Sequence, residues 1–149
     1  MNVARFLVLG AVLLFFPGLA AADANPDFNR SLAQGYAEIA KFAVAKLHDQ
    51  SGQSYFQNKS DRAQAQYPVD PEWPTNWNLP RDLQQTMAHD RDVLVQALGR
   101  LAAGVDAKTE AIAQVNFDCW VALSSISSLK SESARCRGAF CTAIDQLRP

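Results

Sequence analysis

Two cysteines with aromatic neighbours near the C-terminus constrain the fold of this chain more than any other feature. Asn116-Phe117-Asp118-Cys119-Trp120 is followed, after the serine-rich run 124–128, by Arg135-Cys136-Arg137-Gly138-Ala139-Phe140. Each cysteine falls on an apolar stripe of helical spacing: Ile112, Val115, Cys119 and Leu123 in one stretch, Cys136, Phe140, Ala143, Ile144 and Leu147 in the next. A short turn joins the two stretches, so antiparallel packing brings Cys119 level with Cys136. Cys141 lies five residues beyond Cys136, about 140° further round the helix, and points elsewhere. A Cys119–Cys136 disulfide is expected, leaving Cys141 as a spare or intermolecular thiol; a Cys136–Cys141 bridge would require the helix to break. Closing such a loop stabilises by about 3 kcal/mol in the chain-entropy model. The same geometry sends Asp118 toward Arg135 on one flank and sets the Arg137 guanidinium over the Trp120 indole on the other, both as structural pairs.

The remaining apolar segments should pack on this hairpin. Asn25-Pro26 is a helix start, with Asn as cap and Pro at the first helical position. Phe28, Leu32, Tyr36, Ile39, Ala43 and Leu47 then recur at helical spacing. Asp49-Gln50-Ser51-Gly52 reads as a break, and Tyr55-Phe56 as part of a short second helix capped by Ser54. From Tyr67 to Pro80 four prolines (68, 71, 74 and 80) exclude helix and central strand. Leu83, Met87, Leu94, Ala97, Leu98 and Leu101 mark a long helix from Pro80 to Ala103, with Gly104 as its C-cap. Asp106 caps the next, and Ser131 with Glu132 starts the last. The expected fold is an all-α, disulfide-stapled bundle of about four main helices, one short helix and an extended Pro/Trp strap.

The N-terminus has the three-part order of a secretory signal: Arg5, an apolar run from Phe6 to Phe16, then Pro17-Gly18 and the small residues Leu19-Ala20-Ala21-Ala22-Asp23-Ala24. Cleavage is expected after Ala24, with Ala22 as the alternative, leaving residues 25–149 as one helical domain. A lipoprotein signal would carry Cys where Ala22 stands, so no lipid anchor is expected. Export to an oxidising compartment favours a disulfide over zinc-thiolate chemistry. A formal net charge of −1 gives no field for nucleic acid or an anionic membrane.

No set of residues has the types and spacing of a known chemistry. His48 and His89 lie in no metal-ligand motif, and there is no haem-attachment motif, phosphate loop or nucleophile elbow. Neither metal nor cofactor is expected. Cys141 is the only candidate nucleophile, with Arg137 nearby in sequence, and a spare thiol is the simpler account. Trp73 and Trp77 read first as rings laid across the helices, pinning the strap. Their sharper reading is an aromatic surface for sugar rings or for a proline-recognising partner.

The order of a Trp-containing proline strap (Pro71, Pro74, Trp77), a leucine-rich helix, Phe117-Asp118-Cys119-Trp120 and then Cys136-Arg137 with Phe140 resembles the helical N-terminal region of exported OmpA-like proteins of alphaproteobacteria. The resemblance spans nearly all of the expected mature chain, and its specific part is the Phe-Asp-Cys-Trp and Cys-Arg pair. It implies the bacterial cell envelope and supports the Cys119–Cys136 pairing. Those proteins carry a separate peptidoglycan-binding domain that residues 1–149 do not include, so that activity is not carried over. Many of those proteins also resemble lipoproteins, a pattern from which Ala22 departs.

The expectation is thus a soluble periplasmic bundle with a structural or interaction role and no catalysis, whose partner is an envelope protein or a glycan. A glycan or small-ligand module using Trp73 and Trp77 is the alternative. A thiol-dependent redox protein using Cys141, or a homodimer through it, stands behind that.

Overall fold

Asn25 starts the first helix as its side chain accepts hydrogen bonds from the backbone N–H of Asp27 (3.0 Å) and Phe28 (3.3 Å), groups a helix N-terminus otherwise leaves unpaired. A computed structural model describes residues 25–99 and 106–148. Helix α1 (Pro26–Leu47) ends at His48, whose φ of 52° turns the chain. Helix α2 (Gln50–Gln64) follows at once. The expected break over 49–52 and the Ser54 cap are corrected here. Asp49 itself caps α2, accepting from the Gly52 N–H at 3.0 Å, so the turn shrinks to two residues and the second helix is nearly as long as the others.

The segment from Tyr67 to Pro80 is extended apart from one 3-10 turn, Pro74–Asn76. Helix α3 (Arg81–Leu98) has Gly99 as its cap; the expected continuation to Ala103 and the Gly104 cap lie outside the described residues. Asp106 caps α4 (Ala107–Ser124), accepting from Lys108 N–H (3.1 Å) and Thr109 Oγ1 (2.6 Å). A 3-10 turn, Ser127–Leu129, leads into α5 (Lys130–Gln146), which begins one residue before the expected Ser131.

Helix α4 is the keel. Its buried residues lie on most sides, from Ala111 through Phe117 and Trp120 to Leu123, while the stripe of Ile112, Val115 and Cys119 is exposed or half-buried. One core joins α3, α4 and α5 through Met87, Leu94, Phe117, Trp120, Phe140 and Ile144. The other joins α1, α2 and α4 through Leu32, Tyr36, Phe56, Ala63, Ala111 and Ala122. Trp77 of the strap packs against both. The Cys119–Cys136 disulfide ties α4 to α5 with Cα atoms 5.8 Å apart. Helix α1 crosses α4 closely at Gly35, where a Cβ would stand 2.5 Å from Val115 Cγ2. The fold is all-α and disulfide-stapled, with five helices among the described residues.

Candidate functional site: a buried ionic clamp and the cleft above it

Glu110, Gln114 and Asp118 recur every fourth residue along α4, which places them on one face, and they are 0%, 1% and 0% exposed. Asp118 forms the centre of a charged cluster. Its Oδ2 accepts from Tyr36 Oη at 2.6 Å and Lys59 Nζ at 2.7 Å; its Oδ1 accepts from the Glu72 backbone N–H at 2.8 Å. Lys59 stands in the buried stripe of α2 with Phe56, Ser60 and Ala63, so the packing that docks α2 also drives its ammonium inward. That ammonium pairs in addition with Glu72 Oε1 and donates to the Asp70 carbonyl at 3.2 Å.

Glu72 comes from the strap. Its carboxylate also accepts from Tyr55 Oη (2.8 Å) and Trp77 Nε1 (3.0 Å). Gln114 Nε2 donates to the Val69 carbonyl (2.6 Å) and to Tyr36 Oη (3.1 Å). Buried Arg91 of α3 donates from Nε to the Glu72 carbonyl at 3.0 Å and also meets the Pro71 carbonyl. Buried backbone carbonyls need such partners, and a proline-rich segment cannot find them in a helix or sheet. The cluster supplies them, which explains how an irregular strap is fixed onto the bundle.

The electrostatics follow from two carboxylates sharing one ammonium out of water. Burial pushes the Asp118 carboxyl up to about 6, with Lys59 opposing the shift and Glu72 adding to it. Burial works against the Lys59 charge, but Asp118 and Glu72 outweigh it and hold the ammonium above its usual range. The Tyr36 hydroxyl is raised well above its ordinary value by burial and by Asp118. Tyr55 is raised by burial and by its hydrogen bond to Glu72.

Over this cluster lies a cleft of about 310 Å³, bounded by Tyr55, Asn58 and Arg62 of α2 and by the strap from Pro68 to Trp73 with Asn76. Trp73 is 54% exposed and Tyr55 48%. The guanidinium of Arg91 stacks on Trp73, 3.4 Å from the ring centre. A separate apolar groove of about 430 Å³ lies between α1, α4 and α5, lined by Ile39, Phe42, Val115, Leu123 and the disulfide.

Of the residues singled out by sequence, Arg137 and Cys141 lie as expected, whereas others fall elsewhere. Asp118 does not approach Arg135. One residue back from Cys119 is about 100° round the helix, and that side of α4 faces α1 and α2, which a two-helix picture leaves out. Arg135 stays exposed and its partner is Glu132 at 3.8 Å. Arg137 lies 5.2 Å from the centre of the Trp120 ring. Trp73 and Trp77 form no common platform: Trp77 turns inward to Glu72 and the cores, whereas Trp73 faces solvent. Cys141 is an exposed free thiol. Among the described residues no group of three His, Cys, Asp or Glu side chains is placed to hold a metal, and no helix is long and apolar enough to cross a membrane.

Lys59, Glu72, Tyr36, Tyr55, Gln114 and Arg91 escaped sequence reasoning. The signal available was polar residues in apolar stripes: Lys59 between Phe56 and Ala63, and the Glu110-Gln114-Asp118 seam in an otherwise apolar helix. Compared with known proteins, the chain matches no family model, no curated protein and no solved structure.

Proposed function

We propose that this protein is an exported, periplasmic helical module of the bacterial cell envelope that acts by binding and not by catalysis. The observation that carries this reading is the clamp. Its carboxylates, ammonium and phenols are engaged with one another and with strap backbone, so they fix a surface in place. A general acid or base, by contrast, must reach a reacting atom. The disulfide, the signal-like residues 1–24 and the resemblance to OmpA-like envelope proteins support the compartment. The partner is an envelope protein or a glycan.

The test is subcellular fractionation of the source cell with intact-mass analysis, alkylating with and without reductant, followed by in-cell crosslinking. The expected species is a processed, unlipidated chain with one disulfide and one alkylated thiol, crosslinked to an envelope component. An unprocessed, fully reduced chain in the cytosol would sink the reading. A reductant-sensitive dimer would move the function to Cys141.

A further inference from the structure

We infer that the cleft over the clamp is a binding site for a neutral pyranose sugar, stacked on Trp73 and hydrogen-bonded by the amides around it. This rests on the proposed binding role and names its ligand class.

The first ground is the indole. Arg91 is buried, anchored to the Pro71 and Glu72 carbonyls, and stacked on Trp73. One face of the ring is thereby occupied by a fixed group while more than half of the side chain stays in solvent. A ring already immobilised loses little further freedom when a ligand lands on it. The face of an aromatic ring carries negative charge density, and the slightly positive C–H hydrogens on one side of a pyranose lie flat against it.

The second ground is the rim. Asn58 and Asn76 bring amides to the cleft, each with two donors and an acceptor; Asp70 brings acceptors and Arg62 donors. A sugar hydroxyl both donates and accepts, so a mixed rim suits it. The tip of Tyr55 is hydrogen-bonded to both oxygens of Glu72, giving a second aromatic wall.

The third ground is charge. The Lys59 ammonium is committed to Glu72, Asp118 and the Asp70 carbonyl, and Arg62 donates to the Pro68 carbonyl and shares the cleft lining with Asp70. Among the described residues lining the cleft, the cations Lys59 and Arg62 are matched in number by the acids Asp70 and Glu72, so no net charge favours a phosphate or carboxylate and a neutral ligand fits. A volume of about 310 Å³ is at the small end for ligand pockets and suits one or two sugar rings of a longer strand.

The experiment is titration of the purified, oxidised protein with cellotetraose, maltotetraose, tetra-N-acetylchitotetraose and, for charge, tetragalacturonic acid. It is followed by the indole N–H resonances. The expected result is a saturable shift of the Trp73 resonance with at least one neutral tetrasaccharide, at a Kd of about 1 mM or tighter. Trp73→Ala should weaken it at least about tenfold with the fold retained, since the ring lies outside both cores and only its stacking on Arg91 is lost. An Asn58→Ala/Asn76→Ala variant, which leaves every aromatic ring in place, should weaken it several-fold. No saturable shift with any neutral tetrasaccharide, undiminished binding by either variant, or tighter binding of the acidic oligomer each overturns the inference. Failure here with fractionation and crosslinking as expected removes the sugar and leaves the envelope role standing. A cytosolic, reduced chain removes that role whatever the titration shows.

Discussion

Asp118 and Lys59 show how one buried residue depends on another. A buried ion pair adds little net stability over an apolar substitute, but removing one partner strands the other. Lys59→Ala leaves Glu72 and Asp118 facing each other without a cation, and is expected to cost about 3–5 kcal/mol in chemical denaturation. The pH response has a definite sign. With its carboxyl raised to about 6 by burial, Asp118 holds a proton in the folded chain where the unfolded chain, at an ordinary value of about 3.9, has lost it. Its contribution is full below the ordinary value and is lost as pH rises through 6. Denaturation midpoints should therefore rise on acidifying from about pH 7 to about pH 5, on the order of 1 kcal/mol, and Asp118→Asn should flatten that slope. At the alkaline end Lys59, Tyr36 and Tyr55 all keep protons that the unfolded chain releases, so stability should fall above about pH 10.

Among the elements, two glycines of similar appearance in sequence differ in their surroundings. Gly35 lies where α1 crosses α4, with Val115 filling the space a Cβ would take. Gly35→Ala should destabilise by about 1–3 kcal/mol through overpacking. Gly138 is an exposed residue inside α5 with nothing within 4 Å of a built Cβ, and Gly138→Ala should stabilise by about 0.5–1 kcal/mol through helix propensity. Thermal melts of the two variants check both signs. Helix α1 was legible from Asn25 to Leu47 because its cap and its apolar period agree. Helix α2 was misjudged at its start because Gly52 and two polar neighbours look like a loop, while Asp49 supplies the cap that makes them a first turn. The strap was legible as irregular chain from its prolines. Its attachment was legible only in part: Trp77 lies against both cores as expected, but buried Glu72 was missed, because its partners on α2 and α4 are 13 and 46 residues away and no local pattern encodes such contacts.

At the scale of the molecule, the disulfide and the clamp hold different parts. Cys119 reaches α5, and its neighbour Asp118 reaches α1, α2 and the strap. Cys119→Ala with Cys136→Ala should lower stability by about 3 kcal/mol while the helical far-ultraviolet circular dichroism persists, since both cores and the clamp remain. The Cys119–Cys136 pairing was readable because it joins neighbouring helices. Asp118 was assigned to that same hairpin, and wrongly, because a picture of two helices offers only the flank shared with Arg135, when its real counterpart Lys59 is 59 residues away on another helix.

That separation also orders events as the chain is made. The disulfide closes over 17 residues, but the bond between Tyr36 and Asp118 spans 82. Until residue 118 emerges, Lys59 and Glu72 lack the carboxylate that completes their cluster, and the strap has no keel to lie against. The N-terminal half alone therefore cannot complete the clamp, because the carboxylate that receives Tyr36, Lys59 and the Glu72 N–H lies on α4.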